Sequence, residues 1–187
     1  MSLLRSTPPQ LRVVDGQLDG VGQRLQICPE AYAHVSGYRQ TSARASEAGG
    51  QLFGTLTPEL ISVKIATGPY ARDERSRYRY RSDPAAAQRA IRQQSDAGLL
   101  YLGEWHTHAE DCPSLSELDD VAMHQIIQRS RLNSNALLML IVGRRVSVDG
   151  LGLWTVGADC VHKWKLSLLH SIDGGHPREC GSVLRVE

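Results

Sequence analysis

The chain has 187 residues, 41% of them hydrophobic, enough for one substantial core and too few for two large domains. Its 21 basic and 20 acidic side chains are well mixed and leave a formal net charge of +1, so no overall field draws in nucleic acid or an anionic membrane. The opening MSLLRSTPPQ lacks a signal-peptide core, and no apolar run approaches the ~18 residues a bilayer requires. Cys28, Cys112, Cys160 and Cys180 are scattered and form no Cys-x-x-Cys pair, which excludes a thiolate knuckle and fits reduced thiols. The expectation is a soluble, cytoplasmic protein.

In chain order, QLRVV reads as a short strand after a Pro-containing leader, and Pro29 to about Arg44 as a helix with Pro in its first turn. QLFGTL and LISVKIA, with Ile61, Val63 and Ile65 alternating against Ser62 and Lys64, read as paired strands joined at Thr57-Pro58. The segment YARDERSRYRYRS reads as a solvated loop. Asp83-Pro84 then opens a helix to about Asp96, with Asp as N-cap. Leu99 to His108 is a strand. Ser114 to about Arg131 is an amphipathic helix, with Leu118, Val121, Ala122, Gln125 and Ile126 at helical spacing. LLMLIV is a buried strand, Asp149-Gly150 a hairpin turn, and His162, Trp164, Leu166 and Leu168 alternate along one final strand before a disordered tail. The sum is a mixed α/β domain.

On a strand, the stretch GEWHTH sends Glu104, His106 and His108 to one face and Trp105 and Thr107 to the other. Both imidazoles then reach a common point, as a metal site requires. A hydrolytic zinc needs a third protein ligand and a position left for water, and the following segment offers Asp111, Cys112, Asp119 and Asp120. Ser114 to Glu117 reads as a capping box that starts the helix. Ser116 and Asp119, three apart, share a helical face and present hydroxyl and carboxylate together. Taken singly, each of these residues has a plain structural explanation. Their combination in one strand-loop-helix unit does not.

His106-Thr-His108, seven residues, Ser116, two residues and Asp119 resembles the signature of the JAMM (JAB/MPN-type) metalloproteases, which remove ubiquitin and ubiquitin-like proteins. Glu47, in SEAGGQLFG, matches the family's upstream glutamate. The wording GEWHTH and the Ala-Thr-Gly-Pro stretch at residues 66 to 69 look most like the bacterial JAB proteins encoded beside E1-like and E2-like enzymes, including CBASS-type antiphage systems. The resemblance implies a cytidine-deaminase-like MPN/JAB fold, a central, mostly antiparallel sheet flanked by helices. It implies an N-terminal extension and first strand over 1–28, the catalytic domain over 29–169 and a tail over 170–187. It further implies Zn²⁺ on His106, His108 and Asp119, Glu47 as general acid-base, and Ser116 as the oxyanion donor. The implied partner is the extended C-terminal tail of a ubiquitin-like protein, held by strand addition, with the E1-like and E2-like operon proteins nearby and neither nucleic acid nor membrane involved.

By periodicity alone Glu104 is a second candidate base, and the family setting is what favours Glu47. Gly49-Gly50 reads as a turn that also admits a substrate backbone, Cys112 as a loop thiol, and Trp105 as core packing that braces the ligand strand. Ala109 stands where many relatives carry proline. The expected activity is a zinc-dependent isopeptidase or precursor-processing peptidase. A catalytically silent MPN-type scaffold is the alternative.

Overall fold

A computed structural model describes residues 12–129 and 134–170. The leader and residues 171–187 of the expected tail lie outside them, while His170 ends the last strand. The elements are β1 (Arg12–Gln17), β2 (Arg24–Ile27), α1 (Pro29–Ser36), β3 (Gly49–Leu56), β4 (Leu60–Ala66), β5 (Glu74–Ser76), β6 (Arg79–Arg81), α2 (Pro84–Asp96), β7 (Leu100–Thr107), α3 (Glu117–Arg129), β8 (Ala136–Val142), β9 (Leu151–Gly157), β10 (Val161–Lys163) and β11 (Lys165–His170).

Nine strands form one sheet in the order β10-β9-β8-β7-β3-β4-β2-β1-β11, and β5 and β6 form a separate hairpin. Within the large sheet only β2 with β4 and β7 with β8 run parallel, so the mostly antiparallel α/β expectation holds. LLMLIV is buried on both faces because helices cover both. Leu138, Leu140 and Val142 join Trp105 and the α1 residues Ala31, Tyr32 and Val35 in one core. Leu137, Met139 and Ile141 join Met123 of α3 in the other. By register, Trp105 lies beside Leu140 and His106 beside Ile141, which places His106 on the α3 side of the sheet. No helix among the described residues is long and apolar enough to cross a membrane.

Several elements differ from the sequence expectation. The first helix stops at Ser36, not near Arg44, where the Gly37 N–H closes on the Ala33 and His34 carbonyls. Glycine disfavours continuation, and the chain beyond turns inward: Arg39 Nη1 donates to the carbonyls of Gly143 and Gly150, and Gln40 Nε2 to those of Ala45 and Arg77. Strand β2, parallel to β4, went unforeseen because four residues carry too little alternation to read. The final strand is two. Trp164, almost fully buried, interrupts it by donating its N–H to the Leu153 carbonyl and Nε1 to Thr155 Oγ1 at 2.8 Å. Because one residue joins β10 to β11 at opposite ends of the strand order, the sheet bends back on itself.

The start of α3 is also a correction. Ser114 is not its cap: its N–H and Oγ both donate to Glu110 Oε2, at 3.1 and 3.3 Å. Ser116 caps instead, accepting from the Asp119 N–H at 3.2 Å while the Asp119 carboxylate accepts from the Ser116 N–H at 3.0 Å. This reciprocal pair is a capping box two residues later than expected. It turns Met123, four residues after Asp119, into the core with Ile126 and Ile127. Leu118 and Val121, expected on the buried stripe, are 81% and 53% exposed, because the helix is oriented to aim Asp119 at the sheet.

Candidate active site

The last residues of β7 carry the histidines. His106 is held in register with Gly49 of β3 and Ile141 of β8, and His108 follows the strand end with its N–H on the Val142 carbonyl. Their Nε2 atoms lie 2.9 Å apart. Asp119 closes the group, with Oδ1 3.2 Å from His106 Nε2 and Oδ2 3.5 Å from His108 Nε2. Ligand atoms around a tetrahedral zinc at its usual bond lengths stand about 3.3 Å apart, so these separations bracket the spacing a zinc would impose. The donor set of two imidazoles and one carboxylate fits Zn²⁺ chemically as well as geometrically.

The other candidate ligands stand apart from this group. Asp111 pairs with Arg144 Nε at 2.8 Å, Asp120 lies 3.4 Å from His124 Nδ1, and Cys112 is an exposed free thiol. Among the described residues, His106, His108 and Asp119 are the one group of three with converging ligand atoms.

These three residues, Glu47 and Ser116 line one cleft of about 420 Å³. Glu47 is 7% exposed. Burial pushes its carboxyl up to about 7, with the His106 imidazole pulling it down and Asp119 pushing it further up. For Asp119 burial acts upward too, but hydrogen bonding and attraction from His106 and two bonds from Ser116 hold it well below the usual carboxylate range. Burial, then the neighbouring His106, lowers His108, which favours the neutral imidazole a metal needs. Ser116 Oγ donates to Asp119 Oδ2 at 2.6 Å. Two acids in one cleft thus have protonation preferences pushed apart, the pattern expected where one serves as ligand and the other handles protons.

Glu104 lies on the same face as His106, as periodicity suggested, and burial raises its carboxyl to about 7 as well, against hydrogen bonds from Tyr101 and Gln51. Those bonds separate it from the chemistry. Tyr101 Oη donates to Oε1 at 2.5 Å and Gln51 Nε2 to Oε2 at 3.0 Å, and Glu104 is not among the cleft residues. Gly49 and Gly50 are strand residues, not a turn. A Cβ at Gly49 would strike the Tyr80 ring, and one at Gly50 the Thr67 carbonyl oxygen. Trp105 is fully buried on the opposite face. Its Nε1 donates to the Thr67 carbonyl at 2.8 Å and its ring meets the edge of His34.

The segment expected to be a solvated loop is the hairpin β5–β6, and it forms one wall of the cleft through Tyr78, Arg79, Tyr80 and Arg81. The alternation that could have revealed it, tyrosine and arginine at every other position from Arg77 to Arg81, was hidden by its charge. The Glu47 N–H donates to the Ser76 carbonyl at 2.7 Å, and Arg75 Nε donates back to the Glu47 carbonyl at 2.5 Å.

Residues 30–156 match the sequence profile of prokaryotic homologs of the JAB domain. The chain belongs to the prokaryotic JAB family. This JAB chain is 30% identical over 131 residues to the CD-NTase/cGAS isopeptidase of Escherichia coli (strain TW11681), covering 68% of this chain and 81% of that protein. It is 36% identical over 108 residues to a protein of the same name from Pseudomonas aeruginosa (strain BWHPSA011 / Pa011), covering 56% and 68%. A third such protein, from Vibrio cholerae serotype O1, is 33% identical over 111 residues, covering 58% and 69%. Protein DSY2949 from Desulfitobacterium hafniense shares the fold, with a TM-score of 0.51 at 19% identity over 70% of this chain and 82% of that one.

Proposed function

We propose that this JAB chain is a zinc-dependent isopeptidase that acts in the cytoplasm, with residues 29–169 as the catalytic unit. It cuts the amide joining the C-terminal carboxyl of a protein modifier to an amine, in a CBASS-type pathway. The observation that supports this best is the convergence of His106, His108 and Asp119 on one point in the cleft that also holds Glu47. Zn²⁺ on such a set supplies Lewis acidity and brings the pKa of a water toward neutrality.

The chain's own groups supply the rest. Glu47, its carboxyl near 7, accepts the proton of the attacking water and returns it to the leaving amine as the carbon–nitrogen bond breaks; a group poised near the working pH suits both transfers. Ser116, after rotating its hydroxyl away from Asp119, donates to the oxygen on which negative charge develops. Asp119, ionised, and the two histidines fix the position at which the carbonyl is polarised.

Two substrates are in view. One is a ubiquitin-like protein whose extended tail lies in the cleft, with E1-like and E2-like operon proteins as partners. The other, favoured by the name shared by the three relatives, is an isopeptide-linked CD-NTase. The test is to measure zinc content and follow cleavage of both conjugates by wild type and Glu47→Ala. Cleavage of either by wild type alone supports the isopeptidase. Zinc-loaded wild type as inert as Glu47→Ala would instead establish the silent scaffold.

A further inference from the structure

The β5–β6 hairpin carries arginines of two kinds. Arg75 and Arg77 are tied inward, the first to the Glu47 carbonyl and the second to the carbonyls of Ser42 and Ala43. Arg79 and Arg81 are exposed and line the cleft, and neither has an ion pair or side-chain hydrogen bond among the described residues. The nearby acids do not neutralise them. Asp73 accepts from the Tyr70 N–H, the Asp83 N–H and the Tyr80 hydroxyl. Glu74, opposite Arg81 in the strand register, forms no ion pair with it.

Spacing gives this pair its specificity. Residues two apart on a strand point the same way, at about 6.6 Å separation, and the half-buried Tyr80 between them turns toward Asp73 and Gly49. An extended peptide beside β6 repeats at the same interval. The facing wall, from α3, offers the exposed Leu118 with Ala122 and Gln125, and its one acid in the cleft, Asp119, is turned onto His106 and His108, which leaves the hairpin arginines as the cations that meet a peptide side chain.

We propose that Arg79 and Arg81 bind two acidic side chains at alternate positions of an extended protein segment lying in the cleft beside the bond to be cut. The identity of that segment as substrate rests on the isopeptidase reading. Each guanidinium offers a carboxylate two parallel donors, so the site selects an acid-x-acid pattern and rejects a lysine-x-lysine one by like-charge repulsion.

The test uses full-length Glu47→Gln, which leaves bound peptides uncut, and fluorescein-labelled decapeptides identical except for Glu-x-Glu, Gln-x-Gln or Lys-x-Lys at the centre, read by fluorescence anisotropy. The Glu-x-Glu peptide is expected to bind about tenfold more tightly than Gln-x-Gln at low salt, with the preference shrinking as salt screens the charges. Adding R79E and R81E inverts the order toward Lys-x-Lys, and adding R79Q and R81Q removes it. Unchanged melting temperatures show that each variant is folded. Equal binding of all three peptides, or an order unmoved by R79E and R81E, overturns the proposal whether or not wild type cleaves any conjugate. Charge-dependent binding through these arginines alongside a wild type that cleaves nothing sinks the isopeptidase reading and leaves the acid-binding site standing.

Discussion

Arg75 donates from Nε to the main-chain carbonyl of Glu47 at 2.5 Å, while the Glu47 N–H donates to the neighbouring Ser76 carbonyl at 2.7 Å. The hairpin therefore grips the backbone of the cleft glutamate from both sides, although Glu47 precedes β3 and Arg75 lies 28 residues further along. A short loop would otherwise leave that carboxyl free to wander, and a misplacement near 1 Å costs on the order of a hundredfold in rate.

Arg75→Ala is accordingly expected to lower kcat by about 10- to 100-fold while KM and bound zinc stay near wild type. Steady-state kinetics on a cleavable conjugate with metal analysis tests this. A rise in KM with unchanged kcat would mean that Arg75 binds substrate instead of placing Glu47.

Glu47→Gln should retain zinc and lose turnover, and it carries a second signature in the metal-free protein. A carboxyl whose folded pKa exceeds its unfolded one binds more protons folded than unfolded, so it weakens the fold as pH rises from about 4.5 through about 7. That gap corresponds to roughly 3 kcal/mol at most, less where water in the cleft screens the charge. Urea unfolding should find the metal-free glutamine variant gaining on wild type at pH 8 and not at pH 4. The same difference at both values would disprove the burial account.

His108→Ala should lose both zinc and activity, since it removes one of three converging donors. Chelating the wild type should lower its melting temperature, because a ligand at a thousandfold excess over its Kd adds on the order of 4 kcal/mol to the folded state. Full activity in His108→Ala would show the ligand set to be wrong.

Ser116→Ala separates a helix cap from a transition-state contact. Loss of the cap alone costs about 1 kcal/mol of stability and leaves kcat nearly intact in folded protein. Loss of an oxyanion donor costs on the order of a hundredfold or more in kcat. The second outcome, with zinc retained, is expected.

The convergence of the candidate site residues was legible in the sequence because its parts are local. His106 and His108 need only a strand's alternation, and Ser116 with Asp119 only three residues of helix start. Even so, the frame was misplaced: Ser114 looked like the cap, and capping by Ser116 is what points Asp119 at the imidazoles and Leu118 into solvent. Glu104 and Glu47 could not be ranked by spacing. Burial raises both carboxyls to about 7, and what separates them is that Tyr101 and Gln51 occupy Glu104 while Glu47 faces the cleft.

By itself the sequence determined the alternating strands, the Asp83-Pro84 helix start and the spacing of the candidate ligands, since each depends on neighbours within one or two turns of chain. Tertiary structure alone decided the rest. Glu47 shares a cleft with the histidines because β3 lies beside β7, Trp164 splits the last strand because the sheet must bend back to bury it, and a charged segment becomes a cleft wall because the hairpin clasps the Glu47 backbone. Such contacts join residues tens of positions apart, where local pattern carries no information about which partner the folded chain will supply.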